Sequence, residues 1–435
     1  MNVNNIYSIE KIITEESKLK LVSNILQKNH MSRLIEDQAT LTDISNSTFN
    51  VELPIFSTPN QYKSGRCWIF TAVNVLRYQI IEKYKLDKNF ELSEAYISKY
   101  DKIEKCLTAL EQIYQYAKAG KNINSKEVFY RTYNTLTDGG NWAMFQNIIT
   151  KYGIMPKQLF ADTFQASHTG YMNDILIALI NKAKTRIFSP KCKTKTEFIK
   201  IREETMVDCV KVISMCIGVS PKTFKWTNVK TGRETEYTPL LFYKKYVYPV
   251  QKIVNLFNAP SYPFYTILKE TDSNMHAVPS KFYNIPSDIM EQATYKCLKS
   301  FKMPVFFSCK VDSLFFLKGG SILDTKSSSI EELFEIDLSE SKKEALLNSN
   351  RKANHAMTIV GCDYDKKTKQ VIKWKIQNSW GEYNKNNGII NMSRDFFNMY
   401  TADICVPIAC LPPKFMSKFK KEIAADVSTV LCSTS

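Results

Sequence analysis

With 435 residues, 44% of them hydrophobic and 23% charged, the chain can bury a large core and has room for two or three structural units of ordinary size. No apolar run approaches the roughly 18 residues of a membrane-spanning helix, which excludes a helical membrane span. Fifty-nine Lys and Arg against 43 Asp and Glu give a formal net charge of +16, while an odd count of eleven cysteines with no Cys-x-x-Cys pair, beside only four histidines, indicates neither a complete disulfide framework nor a zinc cluster.

Residues 1–60 read as a mixed segment that crosses the molecule before entering a cleft. Their start lacks the basic residues and the uninterrupted apolar stretch of a secretory signal, so a cytoplasmic location is expected, in keeping with reduced thiols. The stretch from Asn60 to Phe70 then sets Cys67 behind a Ser64-Gly65 turn, six residues after Gln61. From Cys67 to Ile81 the chain holds no Gly or Pro and is strongly apolar, the pattern of a buried helix with Cys67 at its N-terminus. The positive end of the helix dipole and a nearby imidazolium would lower that thiol from about 8.5 toward roughly 3.5–7.5. Gln61 can donate its side-chain amide to a developing oxyanion.

Residues 61–161 are expected to be mainly helical, with helices over 93–110 and 142–152; Gly139-Gly140 alone is an ordinary turn. Helix also dominates 162–257, clearest at 174–187 and 196–217, where Cys209 and Cys216 share one face and read as core. From about Tyr265 the pattern turns to strands at 304–309, 356–363, 370–377 and 388–392. Cys405 and Cys410 follow the last of these and carry no assigned chemistry; His30, His168 and His276 read as surface or structural residues. The polar break at 365–368 makes 356–363 and 370–377 a hairpin. Centred between Lys366 and Lys367, it puts His355 across from Asn378, where the amide can accept a ring N–H and fix the tautomer. Trp380 is placed to roof that bond.

Taken singly, Cys67 is a core cysteine, His355 a strand residue and Asn378 part of a turn. Together, Gln61, Cys67, His355 and Asn378 stand in the order and context of thiol catalysis. The chain resembles the papain superfamily of cysteine peptidases, specifically the bleomycin hydrolase and aminopeptidase C family. The residues that carry this are Asn60-Gln61, Ser64 to Trp68, Asp138 to Trp142, Lys151 to Lys157, Met172 to Leu176, Thr238 to Leu240 with Phe242-Tyr243, and Asn378 to Gly381.

The resemblance implies an α+β, two-lobed papain-like fold: a helical lobe over 61–161, a mainly helical hook-type insertion over 162–264 that contacts other subunits in a hexamer, a β-rich antiparallel lobe over 265–410, and a C-terminal arm over 411–435. It implies Cys67 as nucleophile, His355 as base and acid, Asn378 as orienter and Gln61 as oxyanion donor beside the Cys67 N–H. Gly139, Gly140 and Trp380 line the substrate cleft, and the Ser435 carboxylate anchors the substrate ammonium. No cofactor or metal is called for. The expected activity is removal of N-terminal residues from peptides, although the last residues do not reproduce the family's usual ending. An endopeptidase with a displaced tail stays open. So does a basic, ring-forming protein that binds nucleic acid without sequence preference, because the +16 charge reads either as scattered solvated lysines or as a basic face.

Overall fold

A computed structural model describes residues 2–129, 136–227, 232–271, 273–348 and 352–425. The chain opens with α1 (Val3–Glu15) and α2 (Ser17–Leu26), neither of which buries a residue. It then runs along the sheet, where β1 (Val51–Glu52) pairs with the long strand that begins at His355.

The helical lobe is built on α3 (Cys67–Tyr84), in which fourteen of eighteen residues are buried. A helix apolar on nearly every face has to be a central one, and α3 lies between the other helices and the sheet. Beside it, α4 (Glu94–Lys118) starts at Ser93, whose hydroxyl accepts the Tyr96 N–H at 3.0 Å. The next, α5 (Trp142–Tyr152), starts at Asn141, whose side chain accepts the Met144 N–H at 3.0 Å. These caps occupy N–H groups that the first helical turn leaves unpaired, and they fix where each helix begins.

Two further helices, α6 (Gly170–Ile187) and α7 (Lys195–Ile217), pack on α4. Each presents a stripe at helical spacing: Met172, Leu176, Ile180, Ala183 and Ile187 on one, Phe198, Ile201, Cys209, Ile213 and Ile217 on the other. A Thr194–Glu197 capping box starts α7. Among the residues assigned to the insertion, 253–257 form a strand of the central sheet and not part of a helical block: β2 (Ile253–Phe257) is buried throughout. A continuous apolar run buried on both faces has no alternation to mark it as a strand.

The longer strands of the same sheet are β3 (Thr266–Glu270), β4 (Ser280–Asn284), β5 (Val305–Cys309), β6 (His355–Asp365), β7 (Gln370–Gln377), β8 (Ile389–Ser393), β9 (Thr401–Pro407) and β10 (Lys421–Ala424), and two-residue strands at Ile322–Leu323 and Phe316–Leu317 extend it beyond β8. They lie in the order β10-β3-β4-β2-β9-β5-β6-β7-β8. The β6–β7 hairpin is present, but its register is displaced by two residues from the expected one: Thr358 faces Gln377 and Asp365 faces Gln370. Asp365 causes this by accepting the Lys367 N–H at 2.8 Å and the Thr368 hydroxyl at 2.9 Å, while Lys369 takes a positive φ of 58°. The loop therefore spans Lys366 to Lys369, and the bulges at Asp363/Tyr364 and Ile359/Gly361 offset one another, so the two-residue displacement set at the loop is the one that reaches Thr358. His355 pairs instead with Cys309 on β5, and Asn378 lies just past the end of β7.

The lobes are joined by buried polar contacts along α3. Thr71 donates to the Ala356 carbonyl at 2.9 Å, and Asn74 donates to Gln377 Oε1 at 3.0 Å and Thr358 Oγ1 at 3.2 Å. They fix the height at which the helix meets β6 and β7. Among the described residues no helix is long and apolar enough to cross a membrane.

Candidate active site

Cys67 is the first residue of α3, one turn before Thr71. Since Thr71 is bonded to Ala356, the thiol arrives at the start of β6, where the Ala356 N–H interacts with it. Ala356 follows His355, so residues nearly 290 positions apart in sequence meet at the seam between helix and sheet.

The His355 Nε2 lies 2.7 Å from Asn378 Oδ1, although the two residues are not register partners. Asn378 reaches this position from the turn after β7, where its own N–H donates to the Gly388 carbonyl at 3.0 Å. Its side-chain N–H donates to the Tyr383 hydroxyl at 3.2 Å, and that hydroxyl donates to the Gly320 carbonyl at 2.7 Å. The Trp380 ring lies 4.6 Å from the imidazole, centroid to centroid, and also packs against Tyr383 and Phe316. This apolar cover shields the His355–Asn378 bond, which strengthens it by lowering the local dielectric.

Gln61 is held by Ser64 and Ser379. Its Oε1 accepts the Ser379 hydroxyl at 2.7 Å, its Nε2 donates to the Ser64 carbonyl at 2.6 Å, and its backbone N–H donates to the Ser379 carbonyl at 2.8 Å. An amide NH2 has two donors, so one remains after Ser64 is served. Gly140 lies against Trp68, the residue after Cys67: a Cβ there would come 2.5 Å from the indole. The Gly139 carbonyl accepts Lys105 Nζ at 2.6 Å. Gln61, Cys67, Gly139, Gly140, His355, Asn378 and Trp380 thus gather along one seam. Ser435 lies outside the described residues.

Burial acts against the lowering of the thiol by its helix end. Burial pushes the Cys67 thiol up to about 11, against the N–H groups of Ala356 and Trp68 that favour thiolate. Burial also pulls His355 down to about 4, against the Asn378 bond. The helix-terminus effect is outweighed because both groups are dry, and taking either charge out of water alone is costly. Among the described residues, no group of three or more His, Cys, Asp or Glu side chains is arranged to hold a metal ion.

A profile described as the Peptidase C1-like family matches residues 1–427. The chain belongs to that family. Aminopeptidase G of Lactobacillus delbrueckii subsp. lactis is 30% identical over 396 residues, 88% of this chain and 87% of that protein. Bleomycin hydrolase of Mus musculus is 30% identical over 380 residues, 83% of this chain and 82% of that protein. The crystal structure of PepW from Lactobacillus rhamnosis HN001 superposes with a TM-score of 0.91 at 23% identity, covering 100% of this chain and 99% of that one. The α+β papain-like architecture expected from the sequence is the fold of this Peptidase C1-like chain.

Sequence reading did not single out two side chains that support the site. Ser379 fixes the Gln61 amide, and its only sequence signal is its place after Asn378. Asp138 stands in a segment where the glycine pair drew the reading, and its four donors come from places scattered along the chain.

Proposed function

We propose that this chain is a cysteine aminopeptidase that removes N-terminal residues from peptides through a thioester acyl-enzyme. The observation that carries the reading is the 2.7 Å bond from His355 Nε2 to Asn378 Oδ1, with the Cys67 thiol held on the adjoining Ala356 backbone. An Nε2 that donates to an amide oxygen leaves Nδ1 as the basic nitrogen. Nδ1 takes the thiol proton and the sulfur attacks the substrate carbonyl. The oxyanion is met by the Cys67 N–H and the remaining Gln61 N–H, a type of contact worth about 2.7–4 kcal/mol each in the transition state. His355 then protonates the leaving amine, and the thioester is hydrolysed by a water that gives its proton to Nδ1.

Trimming from the amino end, in preference to internal cleavage, is supported by the names of the relatives, an aminopeptidase and a bleomycin hydrolase. In this reading Gly139, Gly140 and Trp380 line the cleft and the Ser435 carboxylate receives the substrate ammonium. The proposal extends to a cytoplasmic homohexamer, in which α6 and α7 belong to the contacting insertion. Association with nucleic acid is a salt-sensitive side property of the +16 charge.

Cys67→Ala is expected to abolish peptide cleavage while leaving the far-ultraviolet circular dichroism and the unfolding midpoint close to wild type. Full activity in that variant rejects the reading. Free peptides are expected to be cut and N-acetylated ones spared; equal cleavage of both makes the enzyme an endopeptidase.

A further inference from the structure

Resting on the Cys67 reading and deepening it, we infer that Asp138 is a positioning residue for the thiol chemistry, its carboxylate tying the nucleophile turn, the Gly139-Gly140 wall and the start of α6 to one another. Its Oδ2 accepts the Gly65 N–H at 2.9 Å, two residues before Cys67, and the hydroxyl of Thr169, the residue before α6. Its Oδ1 accepts Lys102 Nζ from α4 at 2.7 Å and Asn173 Nδ2 from α6 at 3.1 Å. Its backbone carbonyl accepts the Trp68 indole N–H at 2.8 Å. Asp138 is only 7% exposed.

The same segment is held from below. Lys102 Nζ donates to the Leu136 carbonyl at 2.9 Å, and Lys105 Nζ donates to the carbonyls of Thr137 at 2.9 Å and Gly139 at 2.6 Å while pairing with Asp101. Two lysines on successive turns of α4 thus fix 136–139 in height, and Asp138 passes that position to the Cys67 turn through Gly65. A buried ion pair is weak grounds for stability by itself, since well-packed apolar residues often serve as well. What an apolar replacement cannot supply is an acceptor shared by Gly65, Thr169, Asn173 and Lys102.

Geometry and charge make opposite demands here. The titratable groups that act on the thiol are Asp138, with Lys102 behind it, and Cys309 from the sheet; His355 precedes the Ala356 whose N–H meets the sulfur, and Lys105 lies over the Trp68 ring at 5.6 Å with Asp101 beside it. The Asp138 charge disfavours a thiolate at Cys67. Replacing it with an amide therefore makes the thiol more acidic while loosening its placement.

The test uses the full chain with Asp138→Asn and with Asp138→Asn/Lys102→Met. It measures kcat and KM on an unblocked peptide and the pH dependence of Cys67 alkylation by iodoacetamide, followed on the Cys67 peptide by mass spectrometry. Asp138→Asn is expected to lower kcat by roughly 100-fold, the scale of a small misplacement of a reacting group, with a smaller change in KM. Its alkylation profile moves to lower pH. The double variant returns that profile toward wild type without restoring kcat. If Asp138→Asn does not fold, the double variant, which leaves no unpaired buried cation, supplies the kcat reading. Wild-type kcat in either folded variant overturns the inference, as does a kcat loss with an unmoved alkylation profile. If Cys67→Ala is inactive while Asp138→Asn is normal, this inference alone fails; an active Cys67→Ala removes the reading beneath it.

Discussion

The oxygen of Asn378 that meets His355 Nε2 at 2.7 Å also accepts the Ser379 N–H at 2.7 Å. An atom on which a backbone donor converges is the carbonyl oxygen and not the amide nitrogen, so the imidazole must carry its proton on Nε2. The tautomer is set by a neighbouring peptide group as much as by Asn378.

Asn378→Ala is expected to lower kcat by roughly 100-fold, at the lower end of general acid–base contributions, because Trp380 still packs on the ring but the tautomer is no longer held. Asn378→Asp places a carboxylate against Nε2 and favours imidazolium, so the acid limb of the kcat profile moves to higher pH. An acid limb that stays in place in Asn378→Asp counts against the contact.

Gly140→Ala brings a Cβ to 2.5 Å from the Trp68 indole, whose ring is fully buried and whose N–H is committed to the Asp138 carbonyl. Neither group can retreat without moving the Cys67 turn. Overpacking of this kind costs about 1–3 kcal/mol, read as a lower urea midpoint with an unchanged slope, together with a loss of kcat/KM. A variant with wild-type stability and activity would show that the wall yields easily.

Most of this arrangement was legible where local chemistry marks it. Ser93 and Asn141 announce the helices they cap, and the apolar run after Cys67 announces a central one. The hairpin was legible as an element, but its register depended on Asp365 folding back onto Lys367 and Thr368, which no composition signal marks. His355 still meets Asn378 because the amide reaches in from a turn beyond the strand. Burial of the Cys67 sulfur marks a further limit: a helix N-terminus is visible in sequence, whereas the depth at which the sheet buries the sulfur is not. Asp138 illustrates the same limit, since Gly65, Lys102, Thr169 and Asn173 share no local pattern.

Gln61 is oriented by Ser379, whose hydroxyl donates to its Oε1 and so turns its NH2 toward Ser64 and the thiol turn. Gln61→Ala is expected to reduce kcat by about 100- to 1,000-fold with little change in KM, as for other single oxyanion donors. Ser379→Ala removes only the orienting bond and should fall between wild type and Gln61→Ala. Steady-state kinetics on one peptide compares all three, and a Ser379→Ala enzyme slower than Gln61→Ala would contradict this division of roles.

Asp403 gives a pH signature separable from catalysis. It lies on β9 with no solvent exposure, accepts the Ser308 hydroxyl, and is pushed by burial from 3.8 up to about 6. A carboxyl raised in the folded state is tolerated while protonated, so its favourable contribution is whole below the unfolded value near 3.8 and is lost as pH rises through about 6. Asp403→Asn keeps an acceptor for Ser308 and never ionises, so it is expected to be more stable than wild type at pH 7, by up to about 3 kcal/mol for a shift of this size. That advantage should shrink between pH 6 and 4 and vanish below. His355 has the opposite slope in the same window, its pull down to about 4 making folding less favourable as pH falls from 6.5, but it is common to both proteins and cancels in their difference. Urea midpoints of the pair across pH 4–8 check this, and a difference that does not vary with pH would show that Asp403 does not titrate in the folded chain.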